Sequence, residues 1–247
     1  SSVLRRIKTH YISGADHYFS PDENSNKYLV HYGANANHII NYPYSTLYER
    51  EILPKPLDSQ EKAALRTILN LTGAKIFVSV GQFIARKNYE RLLNYWKGQP
   101  ADHRLILIGG GPEKNKYRRL IRELALTNVQ ILDFLPREKV FQYFRAADVY
   151  LFPSKEDIYG HVVNEAMSQG LPVISNQNVN SAHHLIKNGE NGYVIDFNDE
   201  GKINMAIKDV LNNPEMANAA LKTAGQNTIE LMAKVHLDAF KDWMERR

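Results

Sequence analysis

Between Lys75 and Ile195, short runs of β-branched and aliphatic residues alternate with longer stretches whose apolar residues recur at helical spacing. The runs are apolar without interruption rather than at every second residue, which is the pattern of strands covered on both faces. Strands are expected at 75–80, 104–108, 129–132, 149–152, 172–175 and 193–195, with five helical stretches between them. Repeated βαβ units of this kind close through right-handed crossovers and give an α/β fold, a Rossmann-like parallel sheet with helices on both faces. Such sheets bind ligands outside the carboxyl ends of their strands. The chemistry is therefore sought in the segments that follow each strand.

The flanks carry less. Residues 1–44 read as a helix, a short strand at 18–20, a helix at 25–32 and a strand at 38–41, with too little apolar material for a core of their own. Residues 44–56 hold Pro54 and Pro56 and read as a linker. In the last segment, 227–247, Ile229, Met232, Ala233, His236, Phe240 and Trp243 form a stripe at helical spacing that needs a partner surface. A start at Ser1 rather than Met leads to the expectation of an excised chain.

Composition removes whole classes of chemistry. With 43% hydrophobic and 23% charged residues the 247-residue chain can bury a core, so disorder and low complexity are excluded. The absence of cysteine excludes disulfides, thiolate metal sites and thiol nucleophiles. A formal net charge of +4 suits phosphate-bearing ligands and is too small to indicate nucleic acid. No apolar run approaches the roughly 18 residues that a membrane span needs.

Three loops stand out. After the first strand of the series comes Gly81-Gln82-Phe83-Ile84-Ala85-Arg86-Lys87-Asn88, which sets two adjacent cations before a helix that Asn88 is placed to cap. A solvated loop pair is the alternative. After the second comes Gly109-Gly110-Gly111-Pro112, either a tight turn or a place where backbone approaches a ligand. It lacks the third glycine of a dinucleotide fingerprint, since Lys114 stands there. No Gly-x-x-x-x-Gly-Lys-Ser/Thr loop exists. After the fourth strand comes Pro153-Ser154-Lys155-Glu156-Asp157-Ile158-Tyr159-Gly160-His161-Val162-Val163-Asn164-Glu165-Ala166-Met167, a loop carrying acids that runs into a helix ending at Gly170. Glu165 lies one turn inside that helix among apolar neighbours. A carboxylate so placed needs hydrogen-bond donors, either the paired hydroxyls of a ribose or a nearby Lys or Arg.

Taken together these segments resemble the retaining family-four glycosyltransferases, also called group 1. The family signature is proline–serine, an acid, aromatic–glycine, a glutamate eight positions after the acid, alanine–methionine, then a glycine-x-proline-valine strand. Asp157 and Glu165 have seven residues between them, and Gly170-Leu171-Pro172-Val173 follows. The resemblance covers about residues 75–200 and extends to Arg86-Lys87, Gly109-Gly110-Gly111-Pro112 and Asn188-Gly189-Glu190-Asn191-Gly192.

The resemblance implies the C-terminal domain of a GT-B enzyme, with residues 1–44 a remnant of the N-terminal acceptor-side domain, 45–225 the nucleotide-sugar-binding domain, and 226–247 a helix packing toward the N-terminal domain. By resemblance Arg86 and Lys87 neutralise the leaving diphosphate, Asp157 contacts donor-sugar hydroxyls and Glu165 holds the ribose. Gly81, Gly109, Gly110, Leu135, Tyr159, Gly160, His161 and Val162 complete the donor site, with the base beside Leu135-Pro136. The substrate implied is a nucleoside diphosphate sugar, by default UDP-linked, with no cofactor and no metal, since His183-His184 lack a third ligand at suitable spacing. The acceptor would be a glycan or lipid-linked glycan met through the missing domain, in the cytoplasm or at the inner face of a membrane, with peripheral membrane contact.

Three positions depart from the family pattern. Asp157 replaces the usual Glu, leaving open whether Asp157 or, by a register shift, Glu156 meets the sugar. Gln82 replaces an Arg, and 178–184 lacks the usual paired glycines and glutamate. The chain is expected to bind donor but to transfer sugar slowly or not at all, as a fragment inactive alone. The competing readings are a binding module that works with a separate partner chain, and an epimerase or phosphorylase of the same architecture.

Overall fold

The computed structural model describes residues 2–245. They divide into two compact units: residues 2–49 with 226–245, and residues 50–225.

After α1 (Ser2–Ser13) and α2 (Glu23–His31) of the smaller unit, the first α-helix of the larger unit is α3 (Ser59–Ile68). Asp58 and Glu61 close a capping box on α3, satisfying its first amides reciprocally. The six strands are β3 (Lys75–Val80), β4 (His103–Ile108), β5 (Val129–Leu132), β6 (Val149–Phe152), β7 (Val173–Asn176) and β8 (Gly192–Ile195). Between them run α4 (Tyr89–Trp96), α5 (Lys114–Glu123), α6 (Arg137–Ala146), α7 (Val162–Met167) and α8 (Asn180–Leu185), and α9 (Glu200–Asn212) and α10 (Glu215–Gly225) follow.

All neighbouring strands are parallel, in the order β5-β4-β3-β6-β7-β8. The series steps outward from β3 to one edge, returns beside β3 as β6, and steps outward to the other edge. This is the doubly wound order, and its reversal point between β3 and β6 opens a crevice at their carboxyl ends. The uninterrupted apolar runs have the reason expected of them: Ile76 to Val78, Leu105 to Ile108 and all of β6 are buried. Trp96, Tyr89, Tyr117, Phe77 and Phe83 fill the layer between β3, β4 and helices α4 and α5, with edge-on ring pairs.

The smaller unit comprises α1 (Ser2–Ser13), β1 (Tyr18–Ser20), α2 (Glu23–His31), β2 (Ile39–Asn41) and α11 (Ile229–Glu245), with β1 and β2 parallel. The expected stripe on the last helix is corrected in part. His236 stacks on Phe19 and Trp243 on His17, but Ala233 and Phe240 are exposed and Ala239 is the residue buried. Positions 229, 232, 236, 239 and 243 keep the helical period more closely than the set read from hydrophobicity.

The unit boundary also differs from the expected division at 44/45. Residues 45–49 go with the flanks, because Leu47 is fully buried, Ser45 Oγ donates to Asn227 O at 2.7 Å, and Ile229 N donates to Leu47 O at 2.8 Å.

Candidate functional site

The loops after β3 and β6 meet across the crevice. Gly81, with φ +156°, turns the chain off β3, and Phe83 plugs into the core, so the 3-10 turn Ala85–Lys87 rises at the strand ends. Lys155 N donates to Arg86 O at 2.7 Å, and Ser154 Oγ lies within reach of both Arg86 O and Glu156 O. Asn88 sits at the N-cap position of α4 but in a left-handed conformation, and its side chain does not cap the helix. It spans the crevice instead, donating to Pro153 O at 3.2 Å.

Asp157 is the centre of this junction. Its carboxylate accepts Lys87 Nζ in a close ion pair and lies 3.5 Å from Arg86 Nη1. The Lys87 and Asp157 side chains are each 11% exposed, and the lysine ammonium lies over the Phe152 ring, 4.8 Å from its centroid. Two cations against one carboxylate leave the junction with a positive excess. Glu156, the alternative acid, is exposed, and its carbonyl rather than its carboxylate takes the Arg86 guanidinium, at 3.2 Å.

Residues 178–181, in the stretch 178–184 that lacks the paired glycines and glutamate, hold the acidic loop from its other side. Asp157 pairs with Val179 in an isolated parallel bridge, Asn180 Nδ2 donates to Ile158 O, and Ser181 N donates to Tyr159 O. Gly160 has φ +90°, and a Cβ there would stand 2.9 Å from Ser181 Oγ and 3.1 Å from the Phe152 ring. A side chain at 160 would therefore push the loop off its support. His183 closes onto Gln177 O, and among the described residues no group of three His, Asp or Glu side chains is arranged to hold a metal ion.

Beyond Gly160 the chain enters α7 through Tyr159, His161 and Val162. The Tyr159 and His161 rings are 4.9 Å apart. Burial, and after it the Arg137 charge, hold the His161 imidazole below its usual pKa, with Asp157 opposing. Glu165 lies in the first turn of α7 with its side chain 21% exposed. Burial pushes its carboxyl above the usual Glu range, against the pull of Arg137, whose Nη1 lies 3.5 Å from Oε1. Burial raises the phenol of Tyr150 on β6 far above the usual value, and Tyr89 and the charges of Glu165 and Asp157 add to this.

The glycine triplet after β4 has a structural explanation. A Cβ on Gly109 would stand 1.9 Å from Gly81 O, and one on Gly111 would stand 2.7 Å from Phe83 O. The loop is seated on its neighbour by Phe83 N donating to Gly110 O and Glu113 N donating to Phe83 O. Close backbone approach is thus real here, and the approaching backbone is the 81–83 loop. After β5, Leu135 is half-buried, and the preceding Phe134 is 65% exposed with its ring edge against Gly110.

Three residues of this neighbourhood were not singled out from the sequence. Phe134 directly follows the strand-end acid Asp133 with no motif around it, and Glu51 and Arg137 lie 114 and 28 positions from Glu165. One signal was available: Arg137 is a cation in the first turn of a helix, where the macrodipole is unfavourable.

Against known proteins, the model of the family "Glycosyl transferases group 1" matches residues 61–227. A lipopolysaccharide core biosynthesis glycosyltransferase, LpsE of Rhizobium meliloti, is 25% identical over 168 residues, 61% of this chain and 48% of LpsE. The amylovoran biosynthesis glycosyltransferase AmsD of Erwinia amylovora is 24% identical over 167 residues, 67% of this chain and 46% of AmsD. The chain spans about half the length of the curated relatives it matches. Among solved structures, Anabaena Alr3699/HepE in complex with UDP superposes with a TM-score of 0.82 at 18% identity, over 99% of this chain and 68% of that one. A glycosyltransferase from Rickettsia africae reaches the same TM-score at 15% identity, over 100% and 68%. At such identity the structures establish the GT-B kind of fold, and the family match over two thirds of the sequence establishes kinship: the chain belongs to the group 1 glycosyl transferases.

Proposed function

We propose that residues 50–225 bind a nucleoside diphosphate sugar in the crevice between β3 and β6, as the donor half of an enzyme that transfers the sugar with retention to a glycan or lipid-linked acceptor. The observation that carries this reading is the junction of Arg86, Lys87 and Asp157, two cations and a carboxylate held by both loops of the reversal point. A departing nucleoside diphosphate needs positive charge where its own negative charge develops, and Arg86 and Lys87 are fixed to supply it before substrate arrives.

In this reading Glu165 accepts the ribose hydroxyls, and Asp157 turns from its cations toward hydroxyls of the donor sugar. Tyr159 to Val162 line the path between them, with Gly81, Gly109 and Gly110 as the floor. The base lies beside Leu135, with the exposed ring of Phe134 as an apolar face. A uridine base is supported by HepE having been solved with UDP and with UDP-glucose. A setting in surface polysaccharide synthesis is supported by the names of LpsE and AmsD. The setting proposed is the cytoplasmic side of a membrane. Among the described residues no helix is long and apolar enough to cross one.

Calorimetric titration with UDP, GDP and ADP tests the reading. One of them should bind with a Kd of about 1 μM to 1 mM. Lys87→Met should weaken it by about 1.5–3 kcal/mol, the worth of a hydrogen bond to a charged group. Chelation by EDTA should leave affinity unchanged, and sugar transfer by the 247-residue chain should be slow. Binding by none of the three, or unaltered binding in Lys87→Met, overturns the assignment.

A further inference from the structure

Arg137 opens α6 directly after Pro136, at the end of the helix where the macrodipole disfavours a cation. Its guanidinium is held by three neighbours. It lies over the Phe141 ring, 5.1 Å from the centroid. Its Nε and Nη2 reach the two carboxylate oxygens of Glu51 at 3.3 and 3.4 Å, near the fork of a bidentate pair. Its remaining Nη1 faces Glu165 Oε1 at 3.5 Å, longer than a charge-assisted hydrogen bond.

Glu51 is itself fastened to the helix that carries Glu165. Its carbonyl accepts Gln169 Nε2 at 2.8 Å, Leu53 N donates to Ser168 O at 3.0 Å, and Ser168 Oγ donates to Glu165 O at 2.8 Å. The segment just inside the boundary of the larger unit, the guanidinium and the buried carboxylate therefore form one connected piece. Within it the guanidinium is committed to Glu51 and gives Glu165 a nearby positive charge through one long contact.

We propose that Glu51 is a positioning residue for the nucleotide site: it holds the Arg137 guanidinium off Glu165, so that the carboxylate stays uncommitted and accepts both hydroxyls of a ribose. The proposal rests on the reading of Glu165 as the ribose carboxylate. Without Glu51 the guanidinium swings onto Glu165 and closes a bidentate pair, which an incoming ribose has to break.

The test is titration of the wild-type chain and Glu51→Gln with whichever of UDP, GDP and ADP binds the wild type, and with the 2′,3′-dideoxy analogue of that nucleotide. Wild type should prefer the ribonucleotide. In Glu51→Gln the ribonucleotide should weaken about tenfold, the scale of one hydrogen bond to a charged group. The dideoxy analogue, which has no hydroxyls to place, should bind both proteins alike. In an Arg137→Ala background the Glu51 substitution should have no further effect. Equal loss for both nucleotides, or no loss for either, overturns the role of Glu51 while a wild-type preference for the ribonucleotide leaves Glu165 in place. A wild type with no such preference, or with no binding, overturns the ribose reading and this one with it. A melting curve without ligand monitors the fold, and should Glu51→Gln not fold, Glu51→Asp, too short to keep the fork, should show a smaller loss of the same selectivity.

Discussion

Replacing Asp157 by Asn keeps the shape of the side chain and removes the charge that Arg86 and Lys87 share. At 3.5 Å the Arg86 contact alone has a gross attraction of about 5 kcal/mol at an effective dielectric of about 20. Desolvation of the Lys87 and Asp157 groups offsets much of that, and Asn still accepts a hydrogen bond, so the net cost to stability should be about 2 kcal/mol rather than the full penalty of about 3–5 for an orphaned buried charge. For a unit of this size that is a fall in Tm of about 4–8 °C. Binding should move the other way. Two cations and one carboxylate make a net +1, which becomes +2 when the carboxylate is lost. One added unit of attraction toward a phosphate charge about 7 Å away, at an effective dielectric near 40, is worth about 1 kcal/mol, or about fivefold. Asp157→Asn should therefore melt earlier yet bind UDP about fivefold more tightly, while losing whatever preference the wild type has for UDP-sugar over UDP. Melting and calorimetry at one fixed ionic strength decide this, since salt screens the partly exposed Arg86. An unchanged Tm together with tenfold weaker UDP binding would mean that Asp157 does not offset the charges of Arg86 and Lys87.

Other consequences are open to measurement. Because burial raises the Glu165 pKa above its unfolded value of 4.5, ionisation opposes folding; stability is lost as pH rises from that value through the raised one. Glu165→Gln should thus melt later than wild type at pH 7, lose that advantage below about pH 4.5, and bind nucleoside diphosphate more weakly. The depressed His161 pKa has the opposite sense, with stability lost as pH falls from 6.5 through the lower folded value; an NMR titration should show the imidazole neutral at pH 7, and bound diphosphate should raise its pKa. Gly109→Ala should cost more than about 3 kcal/mol in denaturant unfolding, combining overpacking with backbone strain. Gly225→Ala, with no atom within 4 Å of the new methyl, should be near neutral.

What the sequence disclosed and what it hid follow from the range of the interactions. The larger sheet was legible because strands buried on both faces must be apolar, and the strands 75–80 and 149–152 occur at the bounds read from that pattern; the edge strand 129–132 does too, although it is only half-buried and carries Gln130. The doubly wound order follows from the βα alternation through the crossover rule. The meeting of Arg86 and Lys87 with Asp157 was legible in kind, since both segments follow strands, but that Asp157 is shared by both cations depends on tertiary contacts across 70 and 71 positions. Asn88 was read as a cap because its type suits one; the left-handed backbone gives its amide to Pro153 instead. The glycine run 109–111 left open a tight turn or approach to a ligand, since the sequence does not say which backbone comes near. Glu51 could not be foreseen, because a carboxylate among linker prolines looks solvated until α7 is packed beside it.

A crystal of the chain grown with a nucleoside diphosphate would show where the donor sits. The diphosphate oxygens should lie within hydrogen-bond distance of Arg86 and Lys87, and both ribose hydroxyls on the Glu165 carboxylate, at about 2.5–2.7 Å. A nucleotide seated away from the β3 and β6 ends, or a ribose that leaves Glu165 untouched, would contradict this placement.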